Sequence, residues 1–233
     1  MNTNTNLTSI LSPFLIYLAE FKQSDRVNFP PLSELSKELG ISVSSIREQL
    51  QVARSLGLVD VKPRTGIKLL PYSFSPAITQ SLAYAVMIDR SLFESFSDLR
   101  NHIETSYWYS AVSCLNQEDI DYLRDLVSSA KKKLESKPIE IPHQEHRELH
   151  LTIFRQLENP FVIGVLEAYW QLYEAVGLDL YLDKIYLEKV WTYHQQMVEA
   201  IAAGDYSGGY QALFIHMGLI HNRDKKESSS HFE

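Results

Sequence analysis

The chain has 233 residues, 45% of them hydrophobic and 22% charged, which is enough length for two modest domains and enough apolar side chain for a sizeable core. No run of 18 or more apolar residues occurs, so no membrane span is expected, and a single cysteine, Cys114, excludes an intramolecular disulfide. The net charge of −7 argues against nucleic acid only as an average: residues 1–72 carry eight Lys/Arg against six Asp/Glu, and the remainder carries fourteen against twenty-three.

The opening text, MNTNTNLTSI, lacks the basic start and small-residue cleavage site of a secretory signal. Together with the lone cysteine, this makes a reducing cytoplasm the expected compartment. LTSILSPFLIYLAEFK (7–22) reads as an amphipathic helix with Leu11, Phe14, Leu15 and Leu18 on one side. Pro30 and Pro31 interrupt the chain. LSELSKEL then gives a short second helix stopped by Gly40, and Ser42 can cap a third that Gly57 ends. LVDVKPRTGIKLLP reads as two short β-runs around a Lys-Pro-Arg-Thr-Gly turn. Helix, helix, turn, helix, hairpin is the order of a winged helix-turn-helix.

From Ser75 onward there is no strand signal. Helical periodicity runs through 76–93, 95–115, 117–136, 141–157, 161–182, 184–203 and 206–224. KPIEIP (137–142) reads as a linker, Asn159-Pro160 and Gly204-Asp205 as helix boundaries, and KKESSSHFE as a disordered polar tail. The expected fold is therefore mainly α, with a winged helix-turn-helix over 1–72 and an all-α helical bundle over 76–224. Cys114 is expected as a small core residue of a helix rather than a nucleophile.

A recognition helix needs small polar residues where it enters the major groove, and SVSSIR supplies Ser42, Ser44 and Ser45. Arg47 follows, able to reach a phosphate or a guanine edge. Lys62 and Arg64 flank the wing turn, and Gly66 lets the backbone pass close to a duplex. Taken singly, Ser42 is as well explained as a cap and Arg47 as a solvated charge. The combination favours DNA.

HRELH (146–150) nearly spells the zinc-protease signature His-Glu-x-x-His, but its glutamate comes one place late. At about 100° per residue, His146 and His150 share a face while Glu148 points about 200° away from His146. A general base there cannot reach a metal-bound water, so proteolysis is excluded. Six of the eight histidines fall between 143 and 221.

Residues 29–72, through SELSKELGIS, IREQL, LGLV and GIKL, resemble the DNA-binding domain of the GntR family of bacterial transcription regulators. Residues 95–223 resemble the all-helical FCD ligand domain of its FadR-type branch, through DLRNHIE (98–104), HRELHLTIFRQLENP (146–160), HQQMVEAIAAGD (194–205) and His216. Val43 and Ser33 stand where the family commonly has arginine, which removes charge from the expected DNA face.

The resemblance also selects a site. In metal-binding members of the branch one helix supplies Asp-x-x-x-His and two later helices supply one His each. His150, His194 and His216 match the histidines, and His146 stands at the aspartate. A histidine pair four apart is more often surface or satisfied core than metal ligand; the four aligned positions tilt the reading toward metal. Imidazoles suit a divalent transition metal such as zinc or nickel, and also copper or iron(II), better than magnesium or calcium. The match to DLRNHIE implies that Arg100 faces an effector cavity, and a carboxylate would suit its guanidinium. A salt bridge to Glu104, four residues on, explains Arg100 equally well. His102, His143 and His221 read as ordinary polar residues, with His102 within possible reach of the cavity.

The expected function is a homodimeric regulator that binds palindromic operator DNA under control of a small organic acid effector. Two rivals stand beside it. One is a helical-bundle metalloenzyme, which needs paired Glu-x-x-His motifs and finds only Glu145 as a near candidate. The other is a metal-free sensor of acyl thioesters, which has no use for four inward histidines.

Overall fold

The computed structural model describes residues 8–24, 26, 28–62, 66–176 and 184–230, with 220–230 described by backbone alone. Among them the order is α1 (Pro13–Gln23), α2 (Leu32–Leu39), α3 (Val43–Ser55), β1 (Val59–Lys62), β2 (Gly66–Leu69), α4 (Ser75–Ile88), α5 (Leu92–Val112), α6 (Gln117–Glu135), α7 (His143–Phe154), α8 (Pro160–Val176), α9 (Lys184–Ala202) and α10 (Tyr206–Ser230). The chain forms two compact units, Met1–Gln80 and Ser81–Glu233, each with its own hydrophobic core.

In the first unit α1 begins at Pro13, not at Leu7. Ser12 is extended (φ −70°, ψ 157°), and Pro13 occupies the first helical position, where its missing N–H costs nothing. Leu11 is accordingly left 40% exposed, and the buried side of α1 is Phe14, Tyr17, Leu18 and Phe21. Gly40 ends α2 in the left-handed region (φ 65°). Ser42 caps α3 by accepting a hydrogen bond from the Ser45 backbone N–H at 3.1 Å. Gln49 ties α3 to α1: its Oε1 accepts from the Phe14 N–H at 3.0 Å, satisfying an unpaired donor of the first turn of α1. β1 and β2 pair antiparallel from Val59↔Leu69 to Lys62↔Gly66. Leu35, Ile46 and Ala53 close the core from α2 and α3.

In the second unit each helix that carries a candidate site residue places it on a buried stripe. On α5 the stripe is Arg100, Glu104, Trp108, Ala111 and Val112. On α9 it is Leu187, Val190, Trp191, His194, Met197, Val198 and Ile201, the 3.6-residue spacing of a core-facing helix. Asn159 Oδ1 accepts from the N–H groups of Phe161 and Val162 and so starts α8. Gly209 lets α10 approach α5 closely, because a Cβ there would sit 2.7 Å from Trp108 Cζ2. The Trp108 indole donates to the Tyr206 carbonyl at 2.8 Å, locking that contact. His216 lies seven residues beyond Gly209, two turns on and on the same face.

Two further expectations are corrected. Cys114 is exposed: α5 stops at Val112, and Cys114 falls just outside it. The α10 backbone continues to Ser230 instead of giving way to a disordered tail at 225, since no Gly or Pro after Gly218 supplies a stop. Among the described residues, no helix is long and apolar enough to cross a membrane.

Candidate functional site

Four imidazoles meet inside the second unit. His146 and His150 come from successive turns of α7, His194 from α9 and His216 from α10, and one nitrogen from each lies within 4.8 Å of the others. His150, His194 and His216 are fully buried, and His146 is 8% exposed. The ring centroids of His194 and His216 stand 4.3 Å apart, and those of His146 and His194 4.7 Å apart. Trp170, Tyr173 and Trp191 wall the His146 ring with edge-on contacts. A cavity of about 10 Å³, lined in part by His143, His146, Tyr173 and Trp191, adjoins it and has room for roughly one water.

Half of the ring nitrogens in this cluster are buried and unpaired. His146 Nε2, His194 Nδ1 and both ring nitrogens of His216 are buried and have no hydrogen-bond partner in the protein. Buried polar atoms left this way are expensive, which makes a group of them facing one centre informative. Burial first, and then the neighbouring imidazoles and Arg100, hold His146, His194 and His216 well below the ordinary histidine range. For His216 the neighbours responsible are His150 and Arg100. Imidazoles kept neutral are the form that ligates metal.

The dimensions suit a transition metal. His150 Nε2 and His194 Nε2 are 3.1 Å apart. Ligands at about 2.0–2.1 Å from zinc stand about 3.3 Å apart at tetrahedral angles and about 2.9 Å apart at right angles. The full cluster, within 4.8 Å, is wider than a tetrahedral shell by up to about 1.5 Å at its longest span, a change that ring rotations can supply. The donor set is entirely nitrogen, which disfavours magnesium and calcium.

A charged chain runs up to the cluster. Arg100 Nη1 donates to Glu104 Oε2 at 3.1 Å, and the same oxygen lies 3.1 Å from His150 Nδ1. All three side chains are fully buried. Burial alone would raise the Glu104 carboxyl, but Arg100 and His150 outweigh it and hold the group below its usual range. Arg100 lies over Tyr169 at 4.3 Å and over Trp170 at 5.3 Å. The salt bridge expected for Arg100 is therefore made. It uses one nitrogen, and Nε and Nη2 of Arg100 remain buried and unpaired, a two-donor edge of the kind that matches a carboxylate.

The other candidates are placed as follows. His102 is exposed and held to the Asp98 carbonyl, so it does not join the cluster. Glu145, the near match to a bundle-enzyme motif, is taken up by an ion pair with Lys133 at 2.7 Å. Ser42, Ser44 and Arg47 are exposed on the first two turns of α3, whereas the half-buried Ser45 hydroxyl accepts from Gln49 Nε2 at 3.0 Å. Lys62 is exposed at the end of β1 and pairs with Asp60 at 3.3 Å. Gly66 opens β2 at φ 74°, and a side chain there would meet nothing within 4 Å. Arg64 lies outside the described residues, and the side chain of His221 does too. The sequence points to Glu104 only as a partner for Arg100. Its contact with His150, 46 residues away, carries no local signal.

A winged helix-turn-helix joined to an all-helical unit is the plan of a transcription regulator. The FCD domain family matches residues 95–219. The Uxu operon transcriptional regulator of Escherichia coli (strain K12) is 25% identical over 214 residues, covering 90% of this chain and 82% of that protein. The HTH-type transcriptional regulator LutR of Bacillus subtilis (strain 168) is 20% identical over 210 residues, covering 87% and 93%. In fold, the chain is similar to Streptococcus agalactiae GntR, with a TM-score of 0.66 and 16% identity across 90% of this chain and 96% of that one. The chain belongs to the FCD-domain transcription regulators of the GntR family and is not an enzyme.

Proposed function

We propose that this regulator binds a palindromic operator in the cytoplasm as a homodimer, and that a small carboxylate bound at a metal site in its helical domain controls that binding. The metal is a divalent transition ion, zinc or nickel before others, held by His146, His150, His194 and His216. The single observation that supports this most is the meeting of four buried imidazoles within 4.8 Å, with half of their ring nitrogens unpaired. When bound, the ion supplies a positive charge able to take a carboxylate oxygen, and four neutral ligands leave that charge near +2. The free edge of Arg100 is the second contact for the effector. Because the cavity beside His146 is only about 10 Å³, admitting such an effector requires the helices to part. An effector that favours the parted arrangement shifts the population, and with it the spacing of the two recognition helices.

On the DNA side, Ser42, Ser44, Ser45 and Arg47 of α3 meet the major groove, while Lys62, Arg64 and Gly66 form the wing contact. Two copies are required because one winged helix reads a single half-site. Gel retardation of DNA upstream of its own gene, at low and at high salt, tests this reading. Binding should fall steeply with salt, and Arg47→Ala should weaken the specific complex by about 1–3 kcal/mol. No retardation at low salt, with or without organic acids, would count decisively against it.

The effector assignment has its own test. Removing Arg100 alone would strand Glu104 as an unpaired buried charge, so the paired variant Arg100→Met with Glu104→Gln is the better probe. Its affinity for citrate, malate, lactate or gluconate, measured by calorimetry, should drop at least about tenfold, since a charged hydrogen-bonded pair is worth about 1.5–3 kcal/mol. Its metal stoichiometry should stay the same. Normal carboxylate binding by the variant refutes the role given to Arg100.

A further inference from the structure

We infer that Glu104 is a positioning residue for His150, fixing the ring so that its Nε2 presents a lone pair to the cluster, and that Arg100 acts on the site by holding Glu104. The inference deepens the metal reading and rests on it. Glu104 Oε2 stands 3.1 Å from Arg100 Nη1 and 3.1 Å from His150 Nδ1. A carboxylate with a guanidinium against it has no proton to give, so the bond to His150 requires the proton on Nδ1. A neutral imidazole carries one ring proton, which leaves Nε2 as the acceptor. That Nε2 is the atom 3.1 Å from His194 Nε2.

Geometry makes the assignment strict. Arg100, Glu104 and His150 are all fully buried, so no solvent competes for these bonds. Arg100 and Glu104 lie four residues apart on one face of α5, and Tyr169 and Trp170 of α8 pin the guanidinium. Neither His194 Nδ1 nor either nitrogen of His216 has any partner in the protein. His150 is thus a ligand set in advance, around which the less constrained rings turn to complete a shell. Outer carboxylates of this kind orient metal-bound histidines and raise their basicity, and losing one typically costs 10–100-fold in metal affinity.

The test uses the full-length protein and two readouts. In the metal-free protein at pH 7.5, nitrogen-15 NMR of labelled histidines should find His150 protonated at Nδ1 and unprotonated at Nε2. Zinc affinity is then measured by competition with a chromophoric chelator for wild type, for Glu104→Gln, and for Arg100→Met with Glu104→Leu. The double variant removes both buried charges together and so should still fold, which circular dichroism checks. It should bind zinc 10–100-fold more weakly at unchanged stoichiometry, with Glu104→Gln in between because its carbonyl can still accept from Nδ1. An Nε2-protonated His150, or a folded double variant with wild-type zinc affinity, overturns the inference. A wild-type chain that takes up no zinc overturns the metal centre itself. The tautomer then decides alone whether Glu104 orients His150.

Discussion

Replacing His194 and His216 together by alanine should abolish metal uptake and erase the metal-dependent part of the thermal stability. A ligand that binds only the folded chain stabilises it by an amount set by its concentration over Kd, about 2.7 kcal/mol at a hundredfold excess. For a chain of this size each kcal/mol moves Tm by about 2–4 °C, so saturating zinc or nickel should raise the wild-type Tm by roughly 5–10 °C. The double variant should show no such rise, since His146 and His150 alone leave half a shell on one helix. The increment on adding metal is the right quantity to compare, because the alanines also change packing in the metal-free state. A variant that keeps the full metal-dependent rise would mean the ion binds elsewhere.

The second large effect is acid sensitivity of the metal-free protein. His146, His194 and His216 are held well below the usual histidine value of 6.5, first by burial and then by neighbouring imidazoles and the Arg100 guanidinium. Unfolded, the three side chains take up protons near pH 6.5; folded, they resist until much lower pH. The unfolded state therefore binds more protons in that window, and stability, complete above 6.5, falls as pH drops below it. With three protons at stake the limiting slope is about 4 kcal/mol per pH unit, against a total stability of about 5–15 kcal/mol for a typical protein. Chelated protein should thus lose most of its denaturation midpoint between pH 6.5 and 5. Glu104 acts in the same direction, but its window lies lower, below the usual carboxylate value of 4.5, so it does not blur the result. A flat midpoint from pH 7 to 5.5 would mean the imidazoles are not buried as neutral groups.

Much of the fold could be read from local pattern because its elements announce themselves locally. Gly40, Ser42 and Gly57 punctuate the first unit as their conformational preferences require. The misread start of α1 also had a local cause: apolar spacing extends back to Leu7, but Ser12-Pro13 carries the stronger signal for a helix start. The site was legible only in part. The spacing of His146 and His150 showed that they share a face, and the family resemblance supplied His194 and His216, but no local pattern could bring three helices together. The Glu104–His150 bond, the aromatic wall around His146 and the fit of Gly209 against Trp108 are all long-range products of packing. Arg100 shows the limit most clearly. Two readings, salt bridge or effector contact, stood equal in the sequence; the structure makes the salt bridge with one nitrogen and leaves the other edge unpaired.

The central claim is that a metal ion sits among the four histidines, and metal content measures it most directly. Purified protein would be dialysed against zinc or nickel, freed of excess ion, and assayed by elemental analysis. The account predicts about one ion per chain in the wild type and none in the variant with His194 and His216 replaced by alanine. A folded wild-type protein that emerges metal-free would contradict it.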